Sequence, residues 1–513
     1  MPMPLFCPDF RDRTLLYFDF GGFQPVIHRS GFLRAGRALL LATALVAGPA
    51  TADTLREALA KAYKSNPTLT GARAQLRATD EGVPIARARG LPSANATGSY
   101  TEDFVRSSLN YTSPARSAGA QVNLTVPIYS GGAVRNGIKA ADARVSAGQA
   151  TLRDTEATLF SNVVAAYMDV IRDQAIVSLN TQNVQVLKVN LDATRDRFQV
   201  GDLTRTDVAQ SQARLSDARG QLESAQAQLI NSRETYLRLV GEPASDLEPP
   251  PPLPNLPASP DTAVTVALDH NPGLLAAQRN RDAARFDTSV ARAARLPKLS
   301  AIAGGNYQNY LGTLQSGVPG LDIVQVSKTA QAGVQLTIPL YQAGLPTAQV
   351  RQAQALESQS IEQTIEVERN IIAQTRASYA SWQASNELIV SSQAAVDANT
   401  LSLEGVRAEN SVGNRTILEI LNAEQELLNS QVNLVSARRN SYVAGFSLLA
   451  AMGQAEARNL GLESGALYDP TVNYKRVRND IWDFHDDPKP SAVATRTVDT
   501  PAQTPSIIGP TQP

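Results

Sequence analysis

Cysteine is all but missing from this chain: among 513 residues the one thiol is Cys7. It lies in a segment read below as removed on export, so the remainder carries neither a disulfide framework nor a thiolate site. Histidine is scarce as well, with only His270 and His485 beyond residue 52. Outside the export signal no apolar run approaches the roughly 20 residues of a spanning helix, so any membrane span must be β. An excess of positive charge is missing too. Residues 1–52 hold five basic and three acidic side chains, leaving 42 basic and 45 acidic, a formal charge of −3. That excludes a basic stripe for nucleic acid. There is no Gly-rich phosphate loop, G-x-S-x-G elbow or H-E-x-x-H, so no catalytic group and no cofactor is expected.

What is present begins with an export signal. Arg29, Arg34 and Arg37 precede an apolar run over 38–47, and Ala50-Thr51-Ala52 offers a small-x-small cleavage pattern. The stretch before Val26 is unusual for a signal and reads as a misassigned start. Cys7 is too far from the cleavage region to carry a lipid anchor.

The dominant feature is a duplication. Val122-Asn123-Leu124-Thr125-Val126-Pro127-Ile128-Tyr129 returns as Val334-Gln335-Leu336-Thr337-Ile338-Pro339-Leu340-Tyr341, 212 residues on. Val200-Gly201 returns as Val412-Gly413, and Leu239-Val240-Gly241 as Ala451-Met452-Gly453, at the same offset. Asn66-Pro67 matches Asn271-Pro272, and Leu91-Pro92 matches Leu296-Pro297, at 205. The seven extra residues therefore enter between Pro297 and Val334, in the Gly- and Pro-bearing stretch 312–322. Loops tolerate such insertions, whereas long helices packed in register do not.

Each copy reads as helix, strand pair, then long helices. Residues 54–89 and 261–295 lack alternation and are rich in Ala, Arg and Leu, which predicts helices. In the first copy Ala118, Ala120, Val122, Leu124, Val126 and Ile128 share one strand face, opposite Gly119, Gln121, Asn123 and Thr125. In the second, Ala330, Ala332, Val334, Leu336, Ile338 and Leu340 oppose Gln331, Gly333, Gln335 and Thr337. This period of two fits strands between lipid and a wet lumen; the alternative is a soluble periplasmic hairpin. Weaker alternation over 93–104 and 299–310 supplies the partners. Tyr100, Tyr129, Tyr307 and Tyr341 stand near strand ends, where interfacial aromatics belong.

Residues 149–200 and 347–404 contain no Gly or Pro. Val184, Leu187, Leu191, Thr194 and Phe198 step by 3 and 4, the seam of a coiled coil. Helices of some 50 residues would run ~80 Å. After each Val-Gly turn a second long helix returns, so each copy is a helical hairpin. The many Ala, Gln and Asn suit either helices around a hollow or a solid rod.

The chain thus divides into an extension and signal peptide (1–52), a first repeat (53–241), a Pro-rich linker (242–260), a second repeat (261–453), a C-terminal segment (454–486) and a tail (487–513) expected to be disordered. Four strands cannot close a barrel, and open edges cannot face lipid. Two chains would pool eight strands, a barrel filled by side chains; three would pool twelve, with room for a lumen.

These motifs, together with Arg197-Phe198-Gln199-Val200-Gly201, Ser411-Val412-Gly413-Asn414-Arg415-Thr416-Ile417, Tyr468-Asp469-Pro470 and Asn473-Tyr474, resemble the TolC family of outer-membrane exit ducts over the chain to about Phe484. The resemblance implies a mainly α fold with a membrane β-barrel part. It implies a homotrimer with a 12-stranded barrel in outer-membrane lipid and a periplasmic α-barrel of coiled-coil hairpins. It also implies docking by a periplasmic adaptor protein and an inner-membrane RND or ABC transporter, and a gate where the hairpins turn. Carried over by position, Arg415, Asp207 and Thr206 match polar links between neighbouring hairpins. Asn410 stands where the family archetype has a tyrosine. Glu419 and Asn422 take the two carboxylate positions of the constriction, so a trimer would carry one ring of three carboxylates there. Like charges converging in a narrow pore favour cations.

Two further sets are read otherwise. Asp483, His485, Asp486 and Asp487 read as closely spaced solvated residues, not a metal cluster. Trp382 and Trp482 read as packing or interface residues. A competing architecture is a periplasmic coiled-coil structural or adaptor protein without a barrel, though such proteins lack a whole-chain tandem repeat.

Overall fold

The computed structural model describes residues 53–105, 113–318, 320–462 and 467–506. The export signal and Cys7 lie outside them. In the first copy, helices α1 (Leu55–Ser65), α2 (Pro67–Asp80) and α3 (Gly82–Ala88) lead into strands β1 (Ser93–Glu102) and β2 (Arg116–Tyr129). Helices α4 (Ala133–Gln199) and α5 (Arg205–Val240) follow. The second copy is α6 (Pro260–His270), α7 (Pro272–Ala293), β3 (Lys298–Asn309), β4 (Val326–Thr337), α8 (Leu345–Ser411) and α9 (Ile417–Ala451). A short helix α10 (Thr471–Val477) comes last.

α4 and α8 are 67 residues each, longer than the sequence predicts, and about 100 Å at 1.5 Å per residue. Gly137, Gly148 and Gly405 sit inside them and do not stop them. A lone helical glycine costs only about 1 kcal/mol, which the many flanking turns offset. The coiled-coil seam is real but ends early. Leu187, Leu191 and Thr194 are buried with Leu215 and Ala218 of α5, whereas Phe198 is 43% exposed.

The four strands form one antiparallel meander in the order β1-β2-β3-β4, so β2 and β3 join the copies. β2 continues through Pro127 to Tyr129 because β3 pairs with it there, across a bulge that tolerates the missing N–H. The matching Ile338-Pro339-Leu340-Tyr341 is not strand; β4 has no second neighbour and stops at Thr337. Tyr341 therefore falls beyond the sheet. The inserted residues lie in the β3–β4 connection, where Thr313 exchanges hydrogen bonds with the Arg116 backbone at 2.8 and 2.9 Å.

The duplicated Asn-Pro pairs do the same work twice. Asn66 caps α2 through Thr68 N–H (2.9 Å), Pro67 opens that helix, and Asn66 Nδ2 donates to Leu239 O (2.8 Å). Asn271 caps α7 through Leu274 N–H (3.1 Å) and donates to Ala451 O (2.9 Å). Each therefore ties the start of its copy to the end of the returning helix. Gly453 completes the second joint at φ +71°, where a Cβ would lie 2.4 Å from His270 O.

The largest core packs α1, α2, α4 and α5 around Phe160, Tyr167 and Tyr236, with Phe446 reaching in from α9. The second copy has a smaller cluster, Ala263, Ala267, Leu448 and Met452, under Trp382 and Tyr379. α4 buries 21 residues and α8 only six. α8 leaves Leu356, Ile361, Leu388, Val390 and Leu401 exposed in the protomer.

The tail is described as far as residue 506. It has no helix or strand, yet it is held: Arg476 binds Asp487 with both Nη atoms (2.8 and 2.9 Å). Further on, buried Arg233 donates to the carbonyls of Thr504 and Ser506, and Gln503 N–H donates to Glu234 (3.1 Å). Polar composition removes a core, but backbone carbonyls still give the buried guanidinium acceptors at Nη1, while its Nε has none among the described residues.

Candidate functional site

The turn of each hairpin is built from the same local signals. α4 ends at Gln199, and Gly201 takes φ +81°; α8 ends at Ser411, and Gly413 takes φ +83°. The return helices start with matching capping boxes. Thr204 Oγ1 accepts the Asp207 N–H (3.2 Å), and the Asp207 carboxylate accepts the Thr204 N–H (2.8 Å). In the second copy Thr416 caps α9 and the Glu419 carboxylate accepts the Thr416 N–H (2.8 Å). Asp207 and Glu419 thus occupy equivalent places. The signature T-x-x-D/E was visible in both sequences and accounts for part of what the gate reading assigned to them.

Around Glu419 the two copies part ways. Arg415 donates from Nε to Glu409 and from Nη1 to Glu419, both at 2.6 Å. Asn410 Nδ2 donates to Arg415 O (2.6 Å), which clasps the turn from inside. The Thr416 backbone and Arg415 hold the Glu419 carboxyl down at about 2. Asp207 is likewise held low by the Thr204 hydroxyl and backbone. Three of the expected gate residues, Asn410, Arg415 and Glu419, therefore form one cluster, carrying one net negative charge when Glu409 is included.

Asp207, Thr206 and Asn422 stand apart from that cluster. Within the protomer Arg415 and Asp207 make no ion pair among the described residues; each is committed locally. Thr206 is an exposed residue of the first turn of α5. Asn422 accepts from Arg214 Nη2 of α5 (2.7 Å), a link from hairpin to hairpin.

Sequence reasoning missed the strongest such link. Glu424 on α9, buried, accepts from Asn190 Nδ2 of α4 (2.9 and 3.0 Å) and from Arg407 Nη2 of α8 (3.1 Å). Leu421 packs beside it with Leu187 and Leu215. A carboxylate at a seam position, between Leu421 and Leu428, was the available signal. His485 pairs with Asp480 (2.8 Å) and Asp487 with Arg476, so that acidic run does not converge. Among the described residues no group of three metal-ligating side chains comes together.

Two helical hairpins of nearly equal length, each capped at its turn and joined through one four-stranded meander, define the architecture. The family model "Outer membrane efflux protein" matches residues 58–242 and 263–454. The chain belongs to that family. It is 33% identical over 450 residues to the outer membrane efflux protein BepC of Brucella suis biovar 1, covering 88% of this chain and 96% of BepC. It is 26% identical to TolC of Escherichia coli over 467 residues, covering 87% of this chain and 93% of TolC. The fold matches the Campylobacter jejuni CmeC outer membrane channel with a TM-score of 0.69 at 18% identity, covering 83% of this chain and 89% of that one. The chain is accordingly an outer-membrane efflux protein of the TolC type, and the barrel-less adaptor reading falls away.

Proposed function

We propose that three copies of this chain assemble into an exit duct crossing the outer membrane and reaching through the periplasm. It passively conducts cargo delivered by an inner-membrane transporter, in a tripartite efflux pump, a type I protein secretion system or both. The observation that carries this reading is the sheet. β1 and β4 each have one unpaired edge, and Val122, Leu124, Ile128, Val334 and Leu336 are exposed. Unpaired edges and apolar side chains are compatible with lipid only when the strands close on themselves, and three chains supply twelve strands. The exposed apolar side chains of α8 support the same assembly, since a neighbouring chain would cover part of them.

In this reading a periplasmic adaptor and an RND or ABC transporter engage the duct, and the hairpin turns form its gate. Glu419, held ionised by its cap, gives each chain one carboxylate near the threefold axis, with Asn422 following one turn later. By the family resemblance, Arg415 and Asp207 pair between neighbouring chains in the closed state, in exchange for local bonds that each makes within its own chain.

Membrane fractionation with unheated and boiled electrophoresis tests the assembly. A heat-sensitive trimer in the outer-membrane fraction is expected, and a deletion strain is expected to gain drug sensitivity or lose a secreted protein. A soluble monomer in the periplasmic fraction would overturn the reading.

A further inference from the structure

Three large apolar side chains stand bare on one short loop after α10. Ile481, Trp482 and Phe484 are 67%, 79% and 96% exposed. A cluster of this kind marks a surface that meets another protein or a membrane. Trp482 is also a residue for which the duct reading supplies no role.

The route of the chain places the loop. Arg73 of α2 lies with Cζ 4.4 Å from the ring centroid of Tyr63 and 5.0 Å from that of Tyr468. Further on, Asn473 Nδ2 donates to Asp80 (2.8 Å), and Arg87 Nη1 donates to Arg478 O (2.7 Å). Arg73, Asp80 and Arg87 follow one another at two-turn spacing along α2 and α3. The segment after α9 therefore climbs beside these helices, in the direction in which they enter β1. The far end of α3 is level with the end of the sheet. Ala86 and Arg89 line one cleft with Pro127 and Tyr129 of β2 and Lys298 of β3. Tyr129 is one of the aromatics expected at a membrane interface. Beyond Phe484 the chain turns back, and by Thr504 it has reached Arg233 on α5. The loop is thus the turning point of this route, beside the end of the sheet.

The loop is also held in shape. Asp480 accepts the Trp482 N–H (3.1 Å) and pairs with His485 Nδ1 (2.8 Å), and Arg476 grips Asp487 at the base. A loop ordered in advance loses less entropy when its tip enters another phase.

We propose that Ile481, Trp482 and Phe484 form an anchor that dips into the periplasmic leaflet of the outer membrane beside the barrel. Its occupant is phospholipid, because the loop lies at the end of the sheet whose apolar face meets that lipid. An indole sets its apolar body among acyl chains and its N–H among headgroups. Asp483 and Asp486 flank the aromatics and are costly in hydrocarbon, so insertion stops at headgroup depth. Three such anchors around a threefold axis would fix the height of the duct in the membrane. The proposal rests on the reading that the sheet spans the outer membrane.

Tryptophan emission of the purified oligomer in lipid bilayer discs tests it. The chain holds two tryptophans, so the difference between the wild type and Trp482→Phe isolates Trp482. In discs of phosphatidylethanolamine and phosphatidylglycerol, a quencher attached high on the acyl chain should remove the larger part of that emission. A quencher at the chain end should remove less, and aqueous iodide little. Leu124→Trp, made in the Trp482→Phe chain, reports on the sheet in the same discs and should also be quenched by lipid. If Leu124→Trp is quenched by lipid while Trp482 answers only to iodide, the anchor is overturned and the duct stands. Emission of Trp482 shielded from both quenchers would mean that a neighbouring chain covers the loop, and would overturn the anchor as well. Lipid quenching at neither position would overturn the membrane-spanning sheet and the anchor together.

Discussion

Arg407 reaches from α8 to the buried carboxylate of Glu424 on α9, 3.1 Å away, and that same carboxylate accepts from Asn190 on α4. One side chain therefore holds the second hairpin closed on itself and fastens it to the first. Replacing Glu424 by Ala should cost about 2–3 kcal/mol, the range for hydrogen bonds to a charged group. Lower thermal stability of the oligomer and looser tips, read by protease cutting between α8 and α9, are the expected results. Arg407→Ala should cost less, because Arg407 is half exposed.

The tip should keep its negative charge in acid. Glu419 is held at about 2 against an ordinary 4.5, first by the Thr416 backbone and then by Arg415. A depressed carboxyl contributes fully above its ordinary value and is lost as pH falls toward its depressed one. Cation preference in single-channel recordings should therefore persist through the ordinary carboxylate range and fail only near 2. Glu419→Gln should lack the preference at every pH. A wild-type midpoint near 4.5 would mean that the cap does not hold in the assembled duct.

Arg415→Ala should raise conductance while leaving the thermal midpoint nearly unchanged, since exposed ion pairs contribute little. Asp207→Ala should also raise conductance. If the two pair across chains in the closed state, the double variant opens no further than either single one. Additive effects would instead assign each residue only its local role, Arg415 with Glu409 and Glu419, Asp207 with Thr204.

The two Asn-Pro joints allow a matched comparison. Asn66→Ala removes a helix cap and a buried hydrogen bond to Leu239 O, together about 2–3 kcal/mol. Asn271→Ala removes the same pair of bonds at a less buried site and should cost less. Equal shifts in thermal midpoint would show that burial does not set the difference.

Much of this molecule was legible in one dimension because its signals are short-range or repeat at fixed spacing. Alternation marked β2 and β4, and gaps between Gly and Pro marked the cores of α4 and α8. The common offset of 212 residues fixed the equivalence of Val200-Gly201 and Val412-Gly413. Even the caps of Asp207 and Glu419 were written locally, because their partners lie three residues away. The helix ends were misjudged where glycine was read as a stop, since neighbouring turns outweigh a single propensity. The end of β4 was misjudged because a strand lasts only as long as its partner. What only the tertiary structure decided are the meetings of side chains far apart in the chain: Asn190 with Glu424, Arg214 with Asn422, Arg73 between Tyr63 and Tyr468. Those depend on the phase at which one helix packs on another, and no local periodicity encodes that phase.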